Sequence, residues 1–254
     1  MKTFVISLER TPERLEEFVK SNPRHKFIQA VPAADGRLID VAELRDTGLV
    51  EGELPYTAGA VGNALSHREL WVYAAEKGVP VTICEDDAVL HEDFEQETQR
   101  LLKLAPRDWD VVLWGWNFDS ILLADTMPSL SPCYMRFDQA AMRQNKGQYL
   151  RSRIQPGLLR LYAAFGSVCY SISPGGAMRY LEYCFPLRDR ILSVPEIGFH
   201  LRTGALDAIM CACYRESNSL VCFPPLAVTD NDHATSTVQT RAASEGSDSP
   251  AEGK

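Results

Sequence analysis

A chain of 254 residues, 45% apolar and 24% charged, has the make-up of an ordinary globular protein and the length for one large domain or two small ones. Its net charge of −8 argues against a general nucleic-acid binder, and no apolar run reaches the length of a bilayer span. Seven cysteines without a CxxC pair read as reduced, mostly core thiols of a cytoplasmic protein.

Thr3-Phe4-Val5-Ile6-Ser7-Leu8 reads as a buried first strand, and the charges at Glu9 and Arg10 directly after it are unlike a signal peptide. Thr11 as N-cap and Pro12 at the first helical position open a helix to about Ser21. Lys26 to Ala30 follows as a second strand, so a parallel strand–helix–strand crossover is expected. Ala33 to Gly36 is a turn, and residues 37–62 are irregular around one short helix near Val41 to Arg45. Gly59-Ala60-Val61-Gly62-Asn63-Ala64-Leu65-Ser66-His67 opens a long helix that Gly78 ends. Small residues at its start allow close approach of a phosphate or of a packed neighbour. His67, taken alone, reads as a core histidine.

Val81 to Cys84 is a short apolar run that ends abruptly in Glu85, Asp86 and Asp87. Adjacent carboxylates repel one another, and burying any of them unpaired is costly. A divalent cation is the simplest way to hold them, and hard oxygen ligands suit Mg²⁺ or Mn²⁺ better than zinc. The alternative is an acidic turn with solvated side chains. An amphipathic helix from Glu92 to Leu104, a buried strand from Trp109 to Gly115 and a strand at Ser120 to Leu123 follow. This alternation predicts an α/β fold with a mostly parallel, Rossmann-type sheet flanked by helices, on which ligands bind at the carboxyl ends of strands.

The middle of the chain changes character. Between Arg136 and Arg160 stand six basic residues (Arg136, Arg143, Lys146, Arg151, Arg153, Arg160) against one acid, Asp138. They read either as a solvated helical loop or as a basic surface for an anionic acceptor or membrane. Strands are expected between Gly157 and Ile172, a helix from Pro174 to about Cys184, and a loop or short strand at Leu192 to Phe199. Asp207 sits at the start of a helix from Ala208 to Arg215, where the dipole favours an anion. Leu220 to Phe223 is a last strand, and Thr229-Asp230-Asn231-Asp232-His233 is a second polar cluster. From Ser236 the composition predicts a disordered tail.

In this order, FVISLERTPER, AADGR, GAVGNALSH, ICEDDAVL, DWDVVLWG, FGSVCYSISPGGAMRYL and TGALDAIM resemble glycosyltransferase family 25, which includes bacterial lipopolysaccharide and lipooligosaccharide galactosyltransferases and the collagen galactosyltransferases. The resemblance implies a GT-A fold and a metal-dependent, inverting transfer of a hexose, galactose or glucose, from a UDP-sugar. The cofactor would be Mn²⁺ or Mg²⁺, and the acceptor a saccharide or lipid-linked glycan of the cell surface. Glu85 and Asp87 map onto the metal pair that flanks Asp86, which itself counts among the nucleotide-sugar contacts. Gly59, Gly62, Ser66 and His67 fall near the nucleotide, with Ser7, Leu8 and Arg10 facing uracil or ribose and Gly166 and Ser167 also on the donor side. This chain has Ser7 where the family usually has Asn. Asp232 and His233 are further candidate metal ligands from the C-terminal side.

Inversion needs a base on the acceptor hydroxyl, and the metal carboxylates cannot also serve. Asp207 is the candidate, with Glu196 in reserve. The organisation expected is one domain over residues 1–235, with a nucleotide-sugar half (1–118) and an acceptor half (119–235), a helical basic insertion, and a tail at 236–254. Contact with an anionic inner membrane face would fall to the basic segment; no nucleic-acid partner is expected. Other classes left open are a catalytically inactive glycan- or nucleotide-binding protein on the same fold and a metal-dependent hydrolase.

Overall fold

The computed structural model describes residues 1–195 and 198–231. The chain opens with β1 (Lys2–Ser7), α1 (Pro12–Ser21) and β2 (Gln29–Pro32). A 3-10 turn at Gly36–Leu38, α2 (Val41–Asp46) and β3 (Val50–Glu51) lead to the long α3 (Ala58–Lys77). Next come β4 (Val81–Glu85), β5 (Val89–Leu90), α4 (Phe94–Leu104), β6 (Val111–Gly115) and the hairpin of β7 (Ile121–Met127) and β8 (Ser131–Arg136). The basic segment folds as α5 (Gln139–Tyr149) and runs into β9 (Gly157–Ala164). β10 (Cys169–Ile172), α6 (Pro174–Cys184), β11 (Leu187–Arg188), β12 (Ile191–Val194) and β13 (Phe199–Arg202) follow. α7 (Leu206–Tyr214), β14 (Ser219–Phe223) and β15 (Ala227–Val228) complete the described elements.

Nine strands form one sheet in the order β2-β1-β4-β10-β6-β14-β9-β7-β8. β1 pairs in parallel with β2 and β4, as the expected crossover requires, and β6 pairs in parallel with β14. β10 lies antiparallel between β4 and β6, and the β9, β7 and β8 side is antiparallel throughout. Most strands therefore share the direction of β1, while β8, β9 and β10 oppose it. This is the α/β fold read from the sequence, with an antiparallel wing that the apolar pattern did not reveal.

Both faces of the central strands are covered, so successive side chains enter different cores. Ile83, Val111, Leu113 and Tyr170 join the core on the α3, α6 and α7 side. Cys84, Val112, Trp114 and Cys169 join the core on the α1 and α4 side, with Phe18 and Phe94. All seven cysteines are free thiols, and six are buried. Because alternation continues along β4, Glu85 follows Ile83 onto the α3 face.

The ends of α3 follow from local chemistry. The Thr57 hydroxyl accepts from Ala60 N at 3.0 Å, and Gly78 closes the helix in the left-handed region at φ 64°. Thr11 stands at the N-cap position of α1 but makes no side-chain cap bond. The second strand begins at Gln29 and not at Lys26, because buried His25 is tied to the His91 carbonyl at 2.9 Å and the residues after it form a turn that Ile28 N closes on the His25 carbonyl at 3.2 Å. The predicted tail at 236–254 lies outside the described residues.

Candidate active site

β1, β4 and β6 run in one direction, and their carboxyl ends share an edge of the sheet where a cavity of about 510 Å³ opens. Leu8 and Arg10 reach it from the end of β1, and Gly59 and Ser66 from the first turns of α3. Glu85, Asp86 and Asp87 form its acidic wall, with Gly166, Ser167 and Asp207 also lining it. Ten of the residues singled out from the sequence thus meet in one place.

The acids sit on a turn that Ala88 N closes onto the Glu85 carbonyl at 3.1 Å. Each carboxylate has a different environment. Asp86 is taken by Arg14 of α1, whose Nε lies 2.9 Å from Oδ1 and whose Nη2 bonds the same oxygen. Glu85 Oε1 accepts the Ser167 hydroxyl and faces His67 Nε2 at 3.5 Å. Burial raises the Glu85 carboxyl pKa, but His67, Ser167 and Arg14 together outweigh it and the net shift is downward. Asp87 Oδ2 accepts from the Thr229 hydroxyl at 3.0 Å, whereas Oδ1 is buried without a partner. Burial first, and then the Glu85 charge, push the Asp87 pKa up to about 6.

Asp207 stands at the start of α7. Its Oδ1 accepts from Ala208 N and its Oδ2 from Gly166 N, both at 2.9 Å. Burial raises its pKa, the Gly166 bond opposes that, and the Glu85 charge adds to it. Gly166 has φ +89°, and a Cβ there would lie 2.3 Å from Asn117 Oδ1. Glycine thus allows the backbone N–H to reach Asp207 while Asn117 lines the cavity.

Three singled-out residues lie behind the cavity. Ser7 is buried, and its carbonyl accepts from Ala33 N at 2.8 Å. Gly62 is a packing residue, since a Cβ there would lie 2.4 Å from the Ala34 carbonyl oxygen. His67 is fully buried, with Nδ1 2.7 Å from the Tyr170 hydroxyl. Ser66 does two things: it lines the cavity, and its hydroxyl accepts from Ala34 N at 2.9 Å, docking α3 on the turn before it. Glu196, Asp232 and His233 lie outside the described residues.

The site also contains residues that the sequence reading passed over. Arg14, Asn63, Asn117 and Asn231 line the cavity. Asn117 carried one usable signal, as a polar residue just after a strand that ends at this edge, whereas Arg14 lies in the first turn of α1. Thr229 and Asn231 belong to the polar cluster at 229–233 that the sequence displays, and the pairing of β15 with β5 is what carries them to the site.

The basic segment is tied to the stretch that follows β15. Arg143 Nε donates to the Asp230 carbonyl at 2.7 Å and its Nη2 to the Asn231 carbonyl at 3.1 Å, while Lys146 pairs with the Asp230 carboxylate. Asn231 N donates to Thr229 Oγ1 at 3.0 Å, so the Thr229 proton is directed at Asp87. α5 therefore holds the segment that braces Asp87. The reading of Arg143 and Lys146 as free membrane or acceptor contacts gives way to this internal clamp.

Among the described residues no three His, Cys, Asp or Glu side chains converge as a ready metal cluster. The Glu85–Asp87 pair nonetheless fits a hard divalent cation. It offers oxygen donors only, it has a buried carboxylate oxygen with no protein partner, and the ionised Asp87 is disfavoured until positive charge arrives. Such ions are commonly held by one or two carboxylates and completed by substrate phosphates. No helix among the described residues is long and apolar enough to cross a membrane.

Residues 1–194 match the profile of Glycosyltransferase family 25 (LPS biosynthesis protein). A "Glycosyltransferase 25 family member" of Drosophila melanogaster is 31% identical over 126 residues, 45% of this chain. The chain spans 21% of the length of that relative. Two solved structures are more distant. A197 from STIV shares 15% identity over 87% of this chain and 81% of its own, at a TM-score of 0.35. A mannose-1-phosphate geranyltransferase from Thermus thermophilus shares 13% over 87% and 72%, at 0.39. Neither likeness is close enough to bear on fold or activity.

Proposed function

The chain belongs to glycosyltransferase family 25, and from that premise we propose that it transfers galactose or glucose from a UDP-sugar to a saccharide or lipid-linked glycan, with inversion and with Mn²⁺ or Mg²⁺. One observation carries the reading: at the edge where β1, β4 and β6 end, one cavity contains the Glu85–Asp87 pair with an unpartnered buried Asp87 oxygen, and also a separate buried acid, Asp207.

Glu85 and Asp87 would hold the cation, which when bound neutralises the charge of a diphosphate leaving group. Asp86 and Arg14 brace the acidic turn against α1. Leu8, Arg10, Gly59 and Ser66 line the side on which base and ribose would lie. Asp207 would take the proton of the acceptor hydroxyl; burial raises its pKa, which makes its carboxylate a stronger base than an exposed one. Residues 1–235 would then work as one transferase domain. With Arg143 and Lys146 engaged by Asp230 and Asn231, any contact with an anionic membrane or acceptor falls to exposed Arg136, Arg151 and Arg153.

Incubating the protein with a panel of UDP- and GDP-sugars, in Mn²⁺ and in chelator, tests the reading. Release of UDP from one UDP-hexose, lost in chelator and in Asp87→Ala, is the expected result. Turnover of phosphate esters without sugar-donor turnover, or no turnover by a folded protein, would contradict it.

A further inference from the structure

Three fully buried aromatic side chains stand behind Glu85, and the proposed reaction uses none of them: His67 and Trp71 of α3, and Tyr170 of β10. Trp71 Nε1 and His67 Nδ1 each lie 2.7 Å from the Tyr170 hydroxyl oxygen. An indole N–H can only donate, so the phenol oxygen accepts from Trp71. The phenol proton then goes to His67 Nδ1, its other neighbour. A neutral imidazole whose Nδ1 accepts carries its own proton on Nε2. That nitrogen faces Glu85 Oε1 at 3.5 Å and has no other partner. The opposite tautomer would leave the phenol proton without an acceptor and set a bare ring nitrogen against a carboxylate oxygen. Both defects would lie in a fully buried site, where an unmade hydrogen bond is most costly.

We propose that Trp71, Tyr170 and His67 form a relay that fixes His67 as the Nε2–H tautomer and holds Glu85 by Oε1, so that Oε2 is the oxygen presented to the cavity. His67 and Tyr170 are thereby positioning residues for the donor site, an inference that rests on the role proposed above for Glu85. Glu85 keeps 26% of its side-chain surface exposed, consistent with one oxygen held and the other open. At 3.5 Å the His67–Glu85 contact is longer than a full hydrogen bond, an electrostatic approach of the ring N–H to the carboxylate.

Nitrogen-15 NMR of the full chain labelled at histidine reads the tautomer without reference to activity, with His67→Gln identifying the signal. The relay predicts the Nε2–H form for the wild type and a shift toward mixed tautomers in Tyr170→Phe. Calorimetric titration of UDP with Mg²⁺ into His67→Gln and into one further variant, His67→Asn, separates positioning from packing. His67→Gln keeps an N–H near the place of Nε2 and should bind within about twofold of wild type, whereas His67→Asn should bind about tenfold more weakly at a similar melting temperature. A wild-type Nδ1–H tautomer would overturn the relay. Equal affinities of the Gln and Asn variants would overturn its role in holding Glu85. If UDP does not bind wild type while the Nε2–H form is present and Tyr170→Phe disturbs it, the relay stands and the nucleotide reading fails.

Discussion

Burial and the neighbouring Glu85 charge raise the Asp87 carboxyl pKa, and the consequence is measurable. Its folded pKa of about 6 lies above the ordinary 3.8, with burial the main cause. A raised carboxyl pKa contributes stability that is fully present below the unfolded value and is lost as pH rises through the folded one. In chelator, the protein should therefore lose stability between about pH 4 and pH 6, by no more than about 3 kcal/mol from this group. Thermal melts at pH 5 and pH 7 should differ by several degrees in wild type and by less in Asp87→Asn, which keeps an acceptor for the Thr229 hydroxyl. Identical pH dependence in the two proteins would mean that Asp87 ionises freely. The sequence displayed the three acids and their place at a strand end. It did not display their division of labour, because Arg14, Ser167 and Thr229 come from distant parts of the chain. For the same reason His67 looked like either a ligand contact or a core residue, and its environment joins it to both core and site.

The element that departs furthest from its sequence reading is α5. A run of cations in an acidic chain suggested an outward-facing surface, yet Arg143 and Lys146 turn toward Asp230 and Asn231. That pairing could not be read from local charge counts, since its partners are more than eighty residues away. The clamp gives α5 an indirect part in the site through Thr229 and Asp87. The double variant Arg143→Gln, Lys146→Met should weaken UDP–Mn²⁺ binding by about two- to fivefold, the range of partly exposed ion pairs. Wild-type affinity should fall with salt more steeply than that of the variant. Calorimetric titrations at low and high salt would check both statements, and parallel salt curves would remove α5 from the site. By contrast, α3 and α6 were legible almost to the residue, because Gly78, Pro174 and the apolar face of α3 are local signals.

Across the whole molecule, the alternation of strands and helices in the first half was enough to predict an α/β sheet and a site at its carboxyl edge. The antiparallel placement of β10 between β4 and β6 was not, because non-local pairing leaves little trace in a single strand. That placement matters, since one short stretch then sets Ser167 on Glu85 and Tyr170 on His67. The stretch after β15 closes the arrangement. Truncation after Val228 keeps the β15–β5 pairing but removes Thr229 and Asn231. It should leave a cooperative thermal transition and reduce sugar transfer by about tenfold or more, by analogy with the loss of other groups that orient a metal ligand. Truncation after Thr240 should leave transfer nearly intact. Full transfer by the Val228 truncation would show that the Glu85–Asp87 turn needs no brace from the C-terminal side.

The central claim is that one cation, held by Glu85 and Asp87, links this protein to a nucleotide diphosphate. Calorimetric titration of UDP into wild type and Asp87→Ala, each in Mn²⁺ and in chelator, tests it most directly. Tight binding should occur only for wild type in Mn²⁺, with the other three titrations weaker by about tenfold or more. Equal affinity for UDP in all four titrations, from proteins with matching melting curves, would contradict it.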